Sequence, residues 1–297
     1  MGRARNPAHL LPDFAVVTAL QFVAVFGAGF VAGAMNSVIG AGTLLSFPAL
    51  LALGIPPVVA NATNAVGLVT GSVAGAYGYR HQLGPLRPLI QRALVPAAAG
   101  GAAGALLLLA LPAATFDAVV PILLLSAAAL VALQPRVTLW LTKRAASAGA
   151  DDAAGADSGS DNATIAQASE AARAATIGRA AKAGPLLLAL VFCVAVYGGY
   201  FGAAMGVLLL ALFSGKLGGV QASNGVKNVL AVAVNLCAAV VFAFSSQVDW
   251  AIVPVLAVST ALGGLIGSRY GRNLPDTWLR LAVVVLAVSV AVARLVH

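Results

Sequence analysis

The sequence predicts an all-α polytopic membrane protein, made of two homologous repeats of membrane helices in inverted orientation, each opening on a segment broken by glycine. Three observations predict it. Apolar residues make up 61% of the chain and charged residues 9%, against about 25% charged in soluble domains. No Asp, Glu, Lys, Arg or His occurs across the 66 residues 14–79, which is room for about three helical passes at about 20 residues each. Gly40-Ala41-Gly42-Thr43, with the apolar run after it, returns loosely at Gly202-Ala203-Ala204-Met205-Gly206. Gly100-Gly101-Ala102-Ala103-Gly104 with Leu111-Pro112 returns 163 residues on, as Gly263-Gly264-Leu265-Ile266-Gly267 with Leu274-Pro275. The short alternating segments of a β-barrel are absent. Gly-interrupted apolar segments in matching places of two halves point to a transporter with its site at the repeat interface.

The elements follow in order. Residues 1–13 form an N-terminal tail, 14–134 the first transmembrane repeat, 135–184 a hydrophilic cytoplasmic linker and 185–297 the second repeat. The 40 residues 14–53 would make a helix of about 60 Å, twice the hydrocarbon thickness, so the segment must turn back. The turn is expected at 36–43, where Gly40 and Gly42 break the helix. Gly54-Ile55-Pro56-Pro57 is a tight turn, and single spans follow at 58–79, 89–111 and 116–134. The second repeat has its broken segment at 185–213, interrupted near 198–206, then spans at 220–244, 250–269 and 276–295. The apolar start at 14–34 continues too far for a cleaved signal peptide and reads as a retained first helix. The centre of the linker, 145–181, lacks apolar periodicity and reads as an inert spacer, with transient helix at 163–179.

The net charge of +8 does not signal nucleic acid, because the basic residues cluster in short loops between spans and set orientation. Arg80, Arg87 and Arg92 in one loop, and Arg136, Lys143, Arg144, Arg173, Arg179 and Lys182 in the linker, place both on the cytoplasmic side. In the second repeat the basic loop is 269–280, with Arg269, Arg272 and Arg280, whereas 245–250 holds Asp249 and no Lys or Arg. The repeats are therefore expected to be inverted, with both termini outside. Four plus four single spans is the competing arrangement, and Arg3, Arg5 and Arg294 favour it. Cys193 and Cys237 lie in apolar segments with no metal-ligand spacing, and no cofactor is expected.

A glycine break inside the membrane exposes backbone N–H groups at the start of the next half-helix, and these donors with the helix dipole suit an anion. Gly40, Gly42 and Thr43, beside Asn36, and Gly202 and Gly206 are the paired candidates. Close helix packing is the competing reading for glycines, and Gly29/Gly33, Gly71/Gly75, Gly100/Gly104, Gly198/Gly202 and Gly263/Gly267 all fit it. The spans after the breaks begin with polar runs, Asn61-Ala62-Thr63-Asn64 and Ser223-Asn224-Gly225-Val226-Lys227-Asn228. Asn61 and Asn64 share one helix face; Asn224 and Asn228 share another, with Asn235 two turns on. Lys227 lies about two turns into its span without a nearby carboxylate. An ionisable residue at that depth is a functional-site candidate, and snorkelling to the interface is its alternative.

The pattern Gly33-Ala34-Met35-Asn36-Ser37-Val38-Ile39-Gly40-Ala41-Gly42-Thr43, then Pro48-Ala49-Leu50, Gly54-Ile55-Pro56-Pro57 and Ala60-Asn61-Ala62-Thr63-Asn64, resembles the TauE/SafE sulfite-exporter family over nearly all of the chain outside the N-terminus and linker. The resemblance implies a bacterial-type inner-membrane permease exporting sulfite or small organosulfonates. Here Ala41, Thr43, Ala204 and Met205 interrupt what is often an unbroken run of glycines in the family. The expected function is a secondary transporter moving a small anion, sulfite or an organosulfonate, by alternating access. An anion channel or passive pore is the alternative. Expected partners are the small anionic substrate and the lipid bilayer, with a homodimer left open and no nucleic acid. No GxxxxGK[ST] motif offers ATP-driven transport, and no intramembrane carboxylate offers a proton relay, so an ion gradient is the simpler source and the coupling stays open. An intramembrane enzyme would need catalytic groups at depth, yet His9, His81 and His297 sit at loops or termini and Asp13, Asp117, Asp249 and Asp276 at span ends.

Overall fold

A computed structural model describes residues 19–153, 184–217, 220–271 and 276–296. Ten α-helices and two 3-10 turns occupy them, with no strand among the described residues. The first five helices are α1 (Ala19–Val38), α2 (Thr43–Ala52), α3 (Pro57–Gly78), α4 (Arg87–Ala110) and α5 (Ala113–Ala153). The second five are α6 (Pro185–Tyr200), α7 (Met205–Leu217), α8 (Val220–Ala243), α9 (Val253–Tyr270) and α10 (Asp276–Val296). Among the described residues, five helices are long and apolar enough to cross a membrane, within α1, α3, α4, α5 and α8.

Local chemistry sets the breaks. Both apolar segments that the sequence expects to be broken are broken, between Val38 and Thr43 and between Tyr200 and Met205. Gly40 has φ +83° and Gly202 φ +77°, a left-handed conformation that costs other residues about 1–2 kcal/mol. Ala204 adopts it too, at φ +59°. Gly42 packs against Ala32 and Asn36, on the last turns of α1, so the chain turns sharply there. At the end of α2, Gly54 at φ +82° closes a Schellman cap, with Ile55 N donating to Leu50 O at 3.3 Å and Gly54 N to Leu51 O at 3.0 Å. Pro57 then opens α3 at a position where no N–H is needed.

One helix departs from the sequence expectation. The span expected at 116–134 belongs to a helix that continues to Ala153, into the stretch read as linker. Leu, Lys, Arg and Ala after Pro135 are strong helix formers, and they extend a helix whose nucleation the membrane span has already provided. The stretch expected to be transiently helical, 163–179, lies outside the described residues.

The glycine pairs do pack helices. Gly29 and Gly33 on α1 meet Ser259 and Thr260 on α9, and Gly263 and Gly267 on α9 meet Phe30 and Ala34 on α1. Gly100 and Gly104 on α4 meet Phe192, Val196 and Tyr200 on α6 in the same way. Such close backbone approach is how small residues join helices in lipid. Gly71 of α3 faces Gly264 of α9, and Val234 of α8 faces Gly101 of α4, each member displaced by 163 residues from its counterpart. Where α3 meets α8, Ser72 pairs with Asn235 and Gly75 with Asn228, so these helices run antiparallel. Helices α5 and α10 are joined by Arg280 Nη1 donating to Gln134 Oε1 at 2.9 Å. The buried core fills the centre with Phe47, Phe116, Phe201 and Phe242, while Val95, Ile122, Leu186 and Phe244 stand exposed on the outside.

Gly40 and Gly54 share the left-handed backbone but differ in surroundings. A Cβ on Gly40 would lie 2.5 Å from the Gly206 Cα, whereas one on Gly54 meets nothing within 4 Å. Gly54→Ala should therefore cost only the conformational term of about 1–2 kcal/mol, and Gly40→Ala distinctly more. Thermal unfolding of detergent-purified variants checks the order.

Candidate functional site

The two breaks meet at the centre of the molecule, Gly40 against Gly206. Each break releases backbone carbonyls. At the end of α1 the N–H groups of Ile39 and Gly40 both donate to Met35 O, at 2.8 and 3.0 Å, leaving the carbonyls of Asn36 and Ser37 without helical donors. At the end of α6 the N–H groups of Phe201 and Gly202 both return to Tyr197 O, at 3.0 and 3.3 Å, and the carbonyls of the last turn are released in the same way. Unpaired carbonyls at membrane depth cost several kcal/mol each, so donors must be brought to them.

The polar runs on α3 and α8 supply those donors, each to the broken helix of the other half. Lys227 Nζ donates to Asn36 O at 2.9 Å and to Ser37 O at 3.1 Å, and Asn228 Nδ2 to Ser37 O at 3.0 Å. Asn61 Nδ2 donates to Tyr200 O at 2.9 Å. Lys227 is 1% exposed; its stem does not reach for the interface but crosses to the negative end of α1, where a cation is favoured. It is the one charged side chain among the buried described residues. Ser72 joins the halves: its Oγ accepts from Asn36 Nδ2 at 3.3 Å and from Asn235 Nδ2 at 3.0 Å.

The sequence candidates thus divide. Asn36, Gly40, Gly206, Lys227 and Asn228 gather at the α1 break, and Thr43, Asn61, Asn64 and Gly202 at the α6 break, where they line one small cavity with Gly198, Gly199, Phe201 and Asn235. That cavity measures about 10 Å³, space for about one water. Gly42 serves the turn onto α1. Thr63 faces elsewhere; its Oγ1 accepts from Asp249 N at 2.9 Å and ties α3 to the loop before α9. Asn224 is buried, and Oδ1 of Asn64, Asn224 and Asn228 each lack a hydrogen-bond partner.

Sequence reading did not single out Ser72 or the aromatic support of the α6 break. Ser72 and Asn235 occupy equivalent positions of the two halves, 163 residues apart, and that displacement is the signal that would have found the pair. Phe201 stacks edge-on against Phe47 at 5.4 Å and Phe116 at 6.2 Å, and Tyr200 against Phe116 at 5.6 Å. Tyr197 fixes the break from inside, its hydroxyl donating to Ala203 O at 2.7 Å.

Membrane-length helices, paired intramembrane breaks and a buried polar centre define a multi-pass membrane transporter. The chain belongs to the sulfite exporter TauE/SafE family, which matches residues 25–294. It is similar to a Sinorhizobium protein named probable membrane transporter protein ORF9, 26% identical over 276 residues and covering 91% of each chain. No solved structure matches it. Members of this family are membrane transporters rather than enzymes.

Asn61→Ala should destabilise the protein by about 1–3 kcal/mol, because it strips the side-chain donor from the buried Tyr200 carbonyl, and Asn228→Ala should cost less, because Lys227 still donates to Ser37 O. Thr63→Val should cost less, since the Asp249 N–H that it orphans lies beside the loop. Denaturation midpoints in one detergent check the ranking.

Proposed function

We propose that this protein is a secondary transporter of the inner membrane that moves a small anion, sulfite or an organosulfonate, by alternating access between two inverted halves. One observation carries the reading: the two breaks converge, so that the N-terminal ends of α2 and α7 face the centre beside a buried lysine. Half-helix N-termini at the interface of repeats suit anionic groups. The family's name supports sulfite as the substrate. In this reading Asn36, Gly40, Gly42, Thr43, Gly202 and Gly206 present backbone and side-chain donors. Lys227 adds charge at the α1 break beside Asn228, Asn61 and Asn64 line the α6 break, and Thr63, turned to the loop before α9, takes no part.

Inversion is supported by the antiparallel pairing of α3 with α8. Equivalent helices of two parallel repeats would run in the same direction. The central cavity holds about one water and is too small for sulfite, so uptake of the anion requires the halves to part. Rigid rocking of one half against the other is the motion that such an architecture allows.

Proteoliposomes loaded with labelled sulfite test the reading. Wild-type protein should build a sulfite gradient when an ion gradient is imposed, with sulfonates competing better than sulfate. A channel could only dissipate one. Lys227→Met should abolish this flux with insertion unchanged, and Lys227→Arg should restore part of it, because a guanidinium is larger and bonds in a different geometry. Wild-type flux in Lys227→Met would remove the lysine from the substrate site.

Orientation has its own test. In a background lacking Cys193 and Cys237, a cysteine at position 247 should react with impermeant maleimide from outside and one at position 81 from the cytoplasm. Labelling of 247 only from the cytoplasm would contradict inversion.

A further inference from the structure

The two halves treat their released carbonyls differently. Helices α1 and α6 correspond at a displacement of 162 residues, as the left-handed Gly40 and Gly202 and the acceptors Met35 and Tyr197 show. Helices α3 and α8 correspond at 163, as Ser72 with Asn235 and Gly71 with Val234 show. The counterparts of Asn36 and Ser37 are thus Gly198 and Gly199, and the counterpart of Lys227 is Asn64. In the first half the amino group of Lys227 bonds the carbonyls of Asn36 and Ser37. In the second half the shorter Asn64 leaves a cavity of about 10 Å³ bounded by Gly198 and Gly199, with Thr43 beside it. Asn64 is 2% exposed and its Oδ1 has no hydrogen-bond partner. Where one half holds a tethered ammonium, the other holds a small hole beside an unpaired amide oxygen and the released carbonyls at the end of α6.

We propose that this cavity binds one dehydrated monovalent cation of about the size of Na⁺, coordinated by the carbonyls of Gly198 and Gly199, Asn64 Oδ1 and Thr43 Oγ1. The negative end of α6 supplies a fractional charge of about one half, which favours a cation. Unwound carbonyls at the ends of broken helices are the ligands expected of a coupling ion in such folds. No carboxylate lines the cavity, so a divalent ion would be left with uncompensated charge. The space admits one water-sized occupant, which excludes a hydrated ion. The ion would bridge α3 of one half to α6 of the other, the equivalent of the junction that Lys227 makes between α8 and α1. Its use as the coupling ion rests on the transporter reading above; its binding does not.

The test therefore uses purified full-length protein with no anionic substrate. Binding of ²²Na⁺ should saturate at one ion per chain, and Na⁺ replacing choline at constant ionic strength should raise Tm by about 2–5 °C. K⁺ should do less. Asn64→Ala should lose both effects, and Thr43→Val should weaken them should Asn64→Ala fail to fold. Asn64→Lys should supply the missing ammonium in cis, giving a protein whose Tm no longer responds to Na⁺. Equal Tm of wild-type protein in Na⁺ and choline with no ²²Na⁺ bound would overturn the proposal and leave water as the occupant. Undiminished ²²Na⁺ binding in Asn64→Lys would overturn it as well. Loss of sulfite flux with ²²Na⁺ binding intact would count against the anion reading alone.

Discussion

Everything at the centre of this protein follows from the need to pair the carbonyls that two broken helices release where there is little water to pair them. A helix that stops inside a membrane leaves its last carbonyls exposed, and hydrocarbon offers no donor. The chain answers by reaching across the molecule: α8 caps α1 with Lys227 and Asn228, and α3 caps α6 with Asn61. The amide stripes are thus first of all structural. They bind the halves together at the one place where both backbones are irregular, and any motion between the halves must exchange these bonds for others.

The glycines follow from the same constraint. Crossed capping by amides, whose side chains are short, brings α3 and α8 near the breaks, and Gly40 and Gly206 allow the breaks themselves to touch. Around that core, Gly29, Gly33, Gly263 and Gly267 join α1 to α9, and Gly100 and Gly104 join α4 to α6. Packing and site formation are not alternatives here. The outer glycines hold the helices at the spacing that lets the inner polar residues meet.

Much of the fold was legible in the sequence, and the reasons are physical. Charge-free runs and the length of a membrane pass locate α3, α4, α8 and α9 to within a few residues. The excess length of the first apolar segment, with Gly40 in it, locates the first break. The extension of α5 was not legible as an end of the span, because helix propensity continues beyond the point where apolarity stops. The lysine was visible as an anomaly, but not its partners: backbone carbonyls carry no sequence signal, and Asn36 and Ser37 lie 190 or more residues away. Nor could Thr63 be separated from Asn61 and Asn64, since only the packing of the 245–252 loop turns it away from the breaks.

A buried lysine closes one broken helix from the opposite half. Solid-state NMR of the protein in bilayers measures this directly, through dipolar coupling between ¹⁵N-labelled lysine side chains and ¹³C-labelled serine carbonyls, with Lys227→Met assigning the signal. One Nζ should lie roughly 4 Å from a serine carbonyl carbon, the span of a hydrogen bond and a C=O bond; the Lys227→Met protein should lack it. A lysine spectrum in which every Nζ is free of serine carbonyls and exchanges with water would contradict it.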